Sequence, residues 1–288
     1  MRQPIAFLTM VRGDYTWLRL WLRHHRRYVQ DAKSLYVIAH GRDEQIEDMC
    51  RDVSLITVPF DATGAHFTRR RLRLMHRMIA GLLGYHRVVA MADVDEMICL
   101  DPAIGDDLGA YLDGLNFKDK VLSATGIELM DMGEGESPVD FDHPVLAQRR
   151  MGVINSAYCK PCLFFNEIQK GNAHRISNEP RRIDPNISLM HLRYADLQTF
   201  RQVGARRAEV AESYKQSGTA TIYGWTTDAE DTFRAARSVF KPENARPFEP
   251  AHTARLMKRL EAFSNRTGRA GQKKWGFFEL PERFGHLV

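Results

Sequence analysis

The sequence is short of several things, and each shortage excludes a class of protein. No apolar run approaches the ~18–20 residues that cross a bilayer, so no transmembrane helix is expected. The opening MRQPIAFLTMVRGDYTWLRL is interrupted by Arg12 and Asp14, and no small-residue cleavage site follows it. It reads as a core strand and not as a signal peptide. Cysteine is scarce: Cys50, Cys99, Cys159 and Cys162 are too few and too scattered for a disulfide framework in 288 residues. A reducing cytoplasm is the simplest setting. Cys159-Lys160-Pro161-Cys162 spells C-x-x-C, but it lies past the middle of the chain in the apolar segment AYCKPCLFF. A thioredoxin-like motif belongs at the start of a helix after an early strand, and a zinc site needs a second ligand pair. The four cysteines therefore read as buried and structural. Charge of one sign is also lacking, since 41 Lys and Arg against 36 Asp and Glu leave only +5. The basic pairs are dispersed and form no stripe with interleaved aromatics, which disfavours nucleic acid as a partner. No internal repeat is visible.

What is present is an ordinary globular composition, 44% hydrophobic and 27% charged, which excludes a disordered chain. The first half alternates two periods. Short apolar runs at 5–10, 34–39, 54–58 and 87–92 read as buried parallel strands. Between them, helical spacing runs from Asp14, a candidate N-cap, then through a short polar stretch at 43–51, and most clearly from Phe67 to Leu83. This βαβαβαβ order predicts a Rossmann-like, mostly parallel or mixed sheet flanked by helices. Later, 121–124, 127–130, 158–165 and 187–192 look extended, and the acidic, Gly- and Pro-bearing segment 131–144 reads as a loop. Beyond Asp196 the pattern is helical at 196–215, 227–239 and 252–264. The closing GQKKWGFFELPERFGHLV has no clear period. We expect a catalytic core over 1–195 and a helical C-terminal extension over 196–288, packed on the same domain.

The sharpest local feature is Asp93-Val94-Asp95-Glu96, which ends the fourth strand. Ligands of open α/β sheets bind outside the carboxyl ends of the strands, and residues two apart in extended chain point to one side. Asp93 and Asp95 would offer two hard oxygen donors of the kind that hold Mg²⁺ or Mn²⁺ against phosphate oxygens.

In this context the sequence resembles the nucleotide-sugar glycosyltransferases of the GT-A fold, in particular family 2-like bacterial enzymes. The likeness is carried by FLTMVRGDYTWLRLWLRHHR, by VVAMADVDEMICL, by CKPCLFF followed by GNAHR, and by LMHLRYADL, in the right order from about Ala6 to Leu197. Gly13-Asp14 stands where the family usually has Asn-Glu. The Q-x-x-R-W motif of processive members is absent, which argues against a polymerising synthase. The resemblance implies transfer of a sugar, with inversion, from a nucleoside-diphosphate sugar (a UDP-sugar by preference) to a hydroxyl of a carbohydrate or lipid-linked acceptor, in polysaccharide or glycoconjugate synthesis.

It also implies Mn²⁺ or Mg²⁺ held by Asp93, Asp95 and His191, and donor contacts from Thr9, Arg12, Asp14, Asp93 and His174. Arg69–Arg71, opening the long helix, are further candidates for the diphosphate. A carboxylate must take the acceptor's proton. Glu128 is the choice, with Asp131, Asp142 and Glu167 as other candidates. Two other readings stay open. One is a nucleotidyltransferase, although VRGDYTW has only one glycine for a phosphate loop. The other is a nucleotide-sugar-binding protein without transferase activity. Lys273, Lys274, Trp275, Phe277 and Phe278 suggest peripheral contact with the inner face of a membrane.

Overall fold

The computed structural model describes residues 3–60, 67–133, 136–168, 171–172, 175–177, 179–216, 229–238, 242–267 and 274–288. The expected first half is present as β1 (Gln3–Val11), α1 (Tyr15–Arg26), β2 (Leu35–His40), α2 (Glu44–Met49), β3 (Ser54–Val58), α3 (Phe67–Leu82) and β4 (His86–Met91). There follow β5 (Glu96–Leu100), α4 (Leu108–Gly114), β6 (Val121–Met130), α5 (Val145–Gln148), β7 (Met151–Asn155), β8 (Pro161–Phe164), β9 (Gly171–Asn172), β10 (Arg175–Ile176) and β11 (Ile183–Tyr194). The C-terminal part holds α6 (Leu197–Gln216), α7 (Ala229–Arg237), β12 (Arg246–Pro247), α8 (Pro250–Thr267) and β13 (Lys274–Glu279).

The fold is α/β, built on one mixed 11-stranded sheet. β3, β2, β1 and β4 lie side by side and all parallel. Beyond β4 the sheet turns mixed: β8 is antiparallel to β4 and to β6, while β6 is antiparallel to β7 and parallel to β11. Neighbouring residues of the parallel strands serve opposite faces, as the pleat requires. Phe7, Val37, Val88 and Ala90 join the core under α1 with Leu18 and Trp21. Leu8, Ile38, Val89 and Met91 join the core under α3 with Met75 and Ile79. Burial on both faces is why these strands read as continuous apolar runs and not as alternating ones.

Four details differ from the expectation. The two extended stretches at 121–130 form one buried strand, β6. The residues after the acidic turn form a second strand, β5, antiparallel to β11. The closing segment, which shows no period, supplies β13, and β13 extends the main sheet by pairing with β7. Asp14 stands at the N-cap of α1, but its side chain makes no capping hydrogen bond. Its Oδ1 lies 3.7 Å from Arg206 instead.

β5 has one edge on β11. Its other edge is closed by side chains of α1 and the turn after it. Ile98 O accepts a hydrogen bond from His24 Nε2 at 2.8 Å, and Ile98 N donates to His25 Nε2 at 3.2 Å. Leu100 N donates to the Tyr28 hydroxyl at 3.3 Å. An edge strand's unpaired backbone groups need partners once buried. The sequence HHRRY supplies them.

Candidate active site

β1 leads through α1 to β2 on one side, and the chain returns from β3 through α3 to β4 on its other side. The strand order therefore reverses between β1 and β4, and an open α/β sheet binds ligands in the crevice at the carboxyl ends there. Arg12 lies just beyond β1 and Asp93 just beyond β4, one on each side of this point. The four cysteines are all buried and free, as read from the sequence.

The acidic turn is tightly wound. Asp93 N donates to Glu96 Oε2 at 2.9 Å, and Glu96 N donates to Asp93 O at 3.0 Å. Its charge is met from two elements. Arg71, one turn into α3, donates to Asp93 Oδ1. Lys160, just before β8, lies 3.2 Å from Asp93 Oδ2 and 2.7 Å from Glu96 Oε1. Lys160 is only 5% exposed. A buried ammonium is tolerable only when paired. Burial alone would drive its pKa down, but Asp93 and Glu96 outweigh burial and hold it charged. Burial would likewise raise Asp93, and Arg71 and Lys160 overcome that and hold it far below the usual carboxylate range.

Asp95 looks toward a different group. His191 Nε2, from β11, lies 3.6 Å from Asp95 Oδ2, and His191 Nδ1 lies 3.5 Å from Glu128 Oε1 of β6. The register explains the meeting, because His191 stands opposite Glu96 of β5 and Glu128 of β6. Burial lowers the basicity of this imidazole, but the two flanking carboxylates more than compensate and raise its pKa to about 9. The contact with Glu128 is ionic, outside hydrogen-bond geometry. The other Glu128 oxygen meets Asn155 Nδ2 at 3.5 Å.

Tyr158 stacks on the His191 ring, with centroids 3.9 Å apart. The turn that carries Tyr158 rests directly on β6 at Gly126, where an added Cβ would sit 2.2 Å from the Tyr158 carbonyl carbon. Only glycine allows that approach.

The candidates named from the sequence fall into three groups. Asp93, Asp95, Glu128 and His191 come together, joined by Arg71 from the basic triplet. Arg12 stays at the first loop, donating to His40 O at 3.0 Å with its guanidinium 3.6 Å over the Phe60 ring. Thr9 is fully buried inside β1, paired in register with Val37. His174 lies outside the described residues. Among the other carboxylates, Asp131 accepts from the backbone of Gly133 and Leu197, and Asp142 faces Arg19. Glu167 is exposed beyond β8.

Lys160, Tyr158 and Asn155 were given no role by sequence reasoning, and Glu96 was read only as part of the acidic run. A lone lysine inside the apolar AYCKPCLFF was the available signal, since a charge in a buried strand demands a counter-charge.

The site's fit to a divalent ion rests on Asp95 and His191. A carboxylate oxygen and an imidazole nitrogen face each other across 3.6 Å, and once an entering ion displaces the proton that the two carboxylates hold on the ring, they are a donor pair suited to Mn²⁺ or Mg²⁺. Among the described residues no group of three or more His, Cys, Asp or Glu side chains forms a metal cage. Asp93, expected as a second carboxylate ligand, is occupied by two cations. A separate cleft of about 830 Å³ opens at the other end of β1 and β4, lined by Pro4, Tyr28, Arg87, Leu100 and His286, and touches none of these groups.

No family model and no curated protein matches the chain. Among solved structures, it overlays on TarS of S. aureus with a TM-score of 0.35 and 11% identity, over 84% of this chain and 76% of that one. The mannosyltransferase PcManGT of Pyrobaculum calidifontis, in complex with GDP-Man and Mn²⁺, gives 0.37 and 10% over 92% and 81%. Core-mannan synthase A of Aspergillus fumigatus, in its Mn/GDP form, gives 0.27 and 11% over 45% and 43%. Overlays this loose carry no functional weight. The functional reading rests on the site's own geometry.

Proposed function

We propose that the chain is a glycosyltransferase that takes a nucleoside-diphosphate sugar, with UDP-sugars the first to test, and passes the sugar to an acceptor hydroxyl with the help of Mn²⁺ or Mg²⁺. One observation carries the reading: the Asp95–His191 pair sits at the carboxyl ends of the strands, beside a charge-balanced Asp93, where the strand order reverses. A bound ion there supplies Lewis-acid stabilisation of the negative charge that grows on the leaving diphosphate.

The protein's own groups have separate tasks. Arg71 and Lys160 lock Asp93 and thereby the turn that presents Asp95. Arg12 meets the nucleotide end of the donor. Glu128 is 3% exposed and lies against His191 and Asn155. Its task is to aim the ring, holding Nδ1 so that Nε2 faces Asp95.

The test is thermal shift with a panel of nucleoside diphosphates and their sugars, with and without Mn²⁺. One nucleoside diphosphate should raise Tm in an Mn²⁺-dependent way, and Asp95→Ala should abolish the shift. Glu128→Ala should weaken Mn²⁺ binding by about tenfold, read from the electron paramagnetic resonance signal of free Mn²⁺. Slow metal-dependent hydrolysis of the donor separates a transferase from a mere binder. A folded sample that no nucleoside diphosphate stabilises sinks the reading.

A further inference from the structure

Among the described residues, Arg193 is a cation of this region with no counter-charge beside it. It sits in a bulge of β11, between His191 and Tyr194, where the pairing with β6 slips by one residue. Bulges of this kind re-aim a side chain at the edge of a site. The guanidinium lies 5.5 Å from the Tyr194 ring centroid and 5.4 Å from that of Phe200 in α6. The two rings hold it in place. Its charge acts on Tyr158, the ring stacked on His191. Its Nε is buried and has no hydrogen-bond partner, and among the described residues no carboxylate pairs with it.

The neighbouring cations are treated differently. Arg71 has Asp93, and Lys160 has Asp93 and Glu96. Arg149, also buried, donates to the carbonyls of Ala195, Gln148 and Ser137, with Glu136 3.5 Å away. Arg283 bridges Asp101 and Glu249. A half-buried guanidinium with no carboxylate beside it keeps its charge available to an anion brought from outside.

Its position says what. In the sheet, β8, β4 and β1 lie on one side of β6, with the crevice where Arg12 stands, and β11 lies on its other edge. We propose that Arg193 binds an anionic group, a carboxylate or phosphate, carried by the acceptor, so that the acceptor is an acidic glycan or glycoside. This rests on the transferase reading for the word acceptor, and the source of the anion is what the test decides.

The direct probe needs no turnover. Methyl glucuronide and methyl glucoside, identical but for the carboxylate, are titrated into the wild-type protein and into Arg193→Gln and Arg193→Lys by calorimetry. Wild type should favour the glucuronide by about tenfold or more, the scale of a charge-assisted hydrogen bond. Arg193→Gln should lose the preference, Arg193→Lys should keep part of it, and nucleoside diphosphate affinity should stay unchanged in both. With turnover, Arg193→Gln should raise KM for the acidic acceptor more than it lowers kcat. Equal binding of both glycosides by wild type overturns the proposal. So does a loss of nucleoside diphosphate affinity in Arg193→Gln, which would assign the residue to the donor's diphosphate. Failure of the transferase reading shows separately, as the absence of any nucleotide-induced shift in wild type.

Discussion

At the scale of single residues, the site is organised by what each charge is paired with. Lys160 illustrates this. It is buried, and it touches the two carboxylates that shape the acidic turn. Replacing it with methionine keeps the volume and removes the charge, leaving Asp93 with Arg71 alone and Glu96 buried without its cation. Breaking a buried pair from one side costs about 3–5 kcal/mol. Lys160→Met should therefore lower the unfolding free energy read from urea titration by that amount and blunt nucleotide binding, whereas a loss below about 1 kcal/mol, typical of an exposed pair, would show that the network is not structural. The sequence displayed some of this logic and hid the rest. Asp93 and Asp95 were legible because carboxylates are rare in apolar sequence at a strand end. Lys160 and Tyr158 were not, because their meaning lies in partners about 30 to 70 positions away that only the sheet register brings close. Even the visible aspartates divide in a way that spacing cannot show: Asp93 faces cations and Asp95 faces an imidazole.

At the scale of elements, α1 and β5 form one unit through two neutral histidines. His25 Nδ1 donates to Trp21 O at 3.0 Å and its Nε2 accepts from Ile98 N, so the ring has no room for a second proton. Burial pushes His24 down to about 3 and His25 well below the usual value of 6.5. The unfolded chain takes up these protons near pH 6.5, and the folded chain does not until far lower. Between those values the unfolded state binds more protons, so stability is full above pH 6.5 and falls as pH falls. The loss is up to about 1.4 kcal/mol per pH unit for each histidine. Urea midpoints measured from pH 7 to 5 should decline less steeply in His24→Gln, which keeps a donor for Ile98 O but cannot titrate. Parallel slopes would remove the pair from the acid sensitivity of the fold. β1, β2 and β4, buried on both faces, and α3, with one apolar face, were readable from period and length. β5 was not, because only the short acidic turn separates it from β4. β7 and β13 escaped because short strands that pair through sequence-distant neighbours leave no period of their own.

At the scale of the whole molecule, the C-terminal third does not sit apart from the sheet. β13 pairs with β7, and Leu280 N donates to Arg150 O. Phe278 packs edge-on against Phe248, so that aromatic of the basic tail is used within the fold. Among the described residues no helix is long and apolar enough to cross a membrane. α8 is tied to the middle of the chain, since Glu261 accepts from Ile183 N at 2.6 Å and Asn265 accepts from Arg181 N at 2.7 Å. Arg283 reaches back to Asp101 beyond β5. Ties of this kind link the strand that carries His191 to elements more than 60 residues later. If 1–195 were an independent unit, it would lose nothing by separation. The pairing says otherwise: a chain ending after Ala195 leaves the β7 edge bare and takes from the backbone N–H groups of Ile183 and Arg181 their acceptors on α8. Such a fragment should aggregate, because an uncovered strand edge recruits other chains. The full chain should unfold in one calorimetric transition, with van't Hoff and calorimetric enthalpies equal. Two resolved transitions, or a fragment of 1–195 that stays monomeric and cooperative, would show that the C-terminal part is an appendage and that the site's support ends at β11.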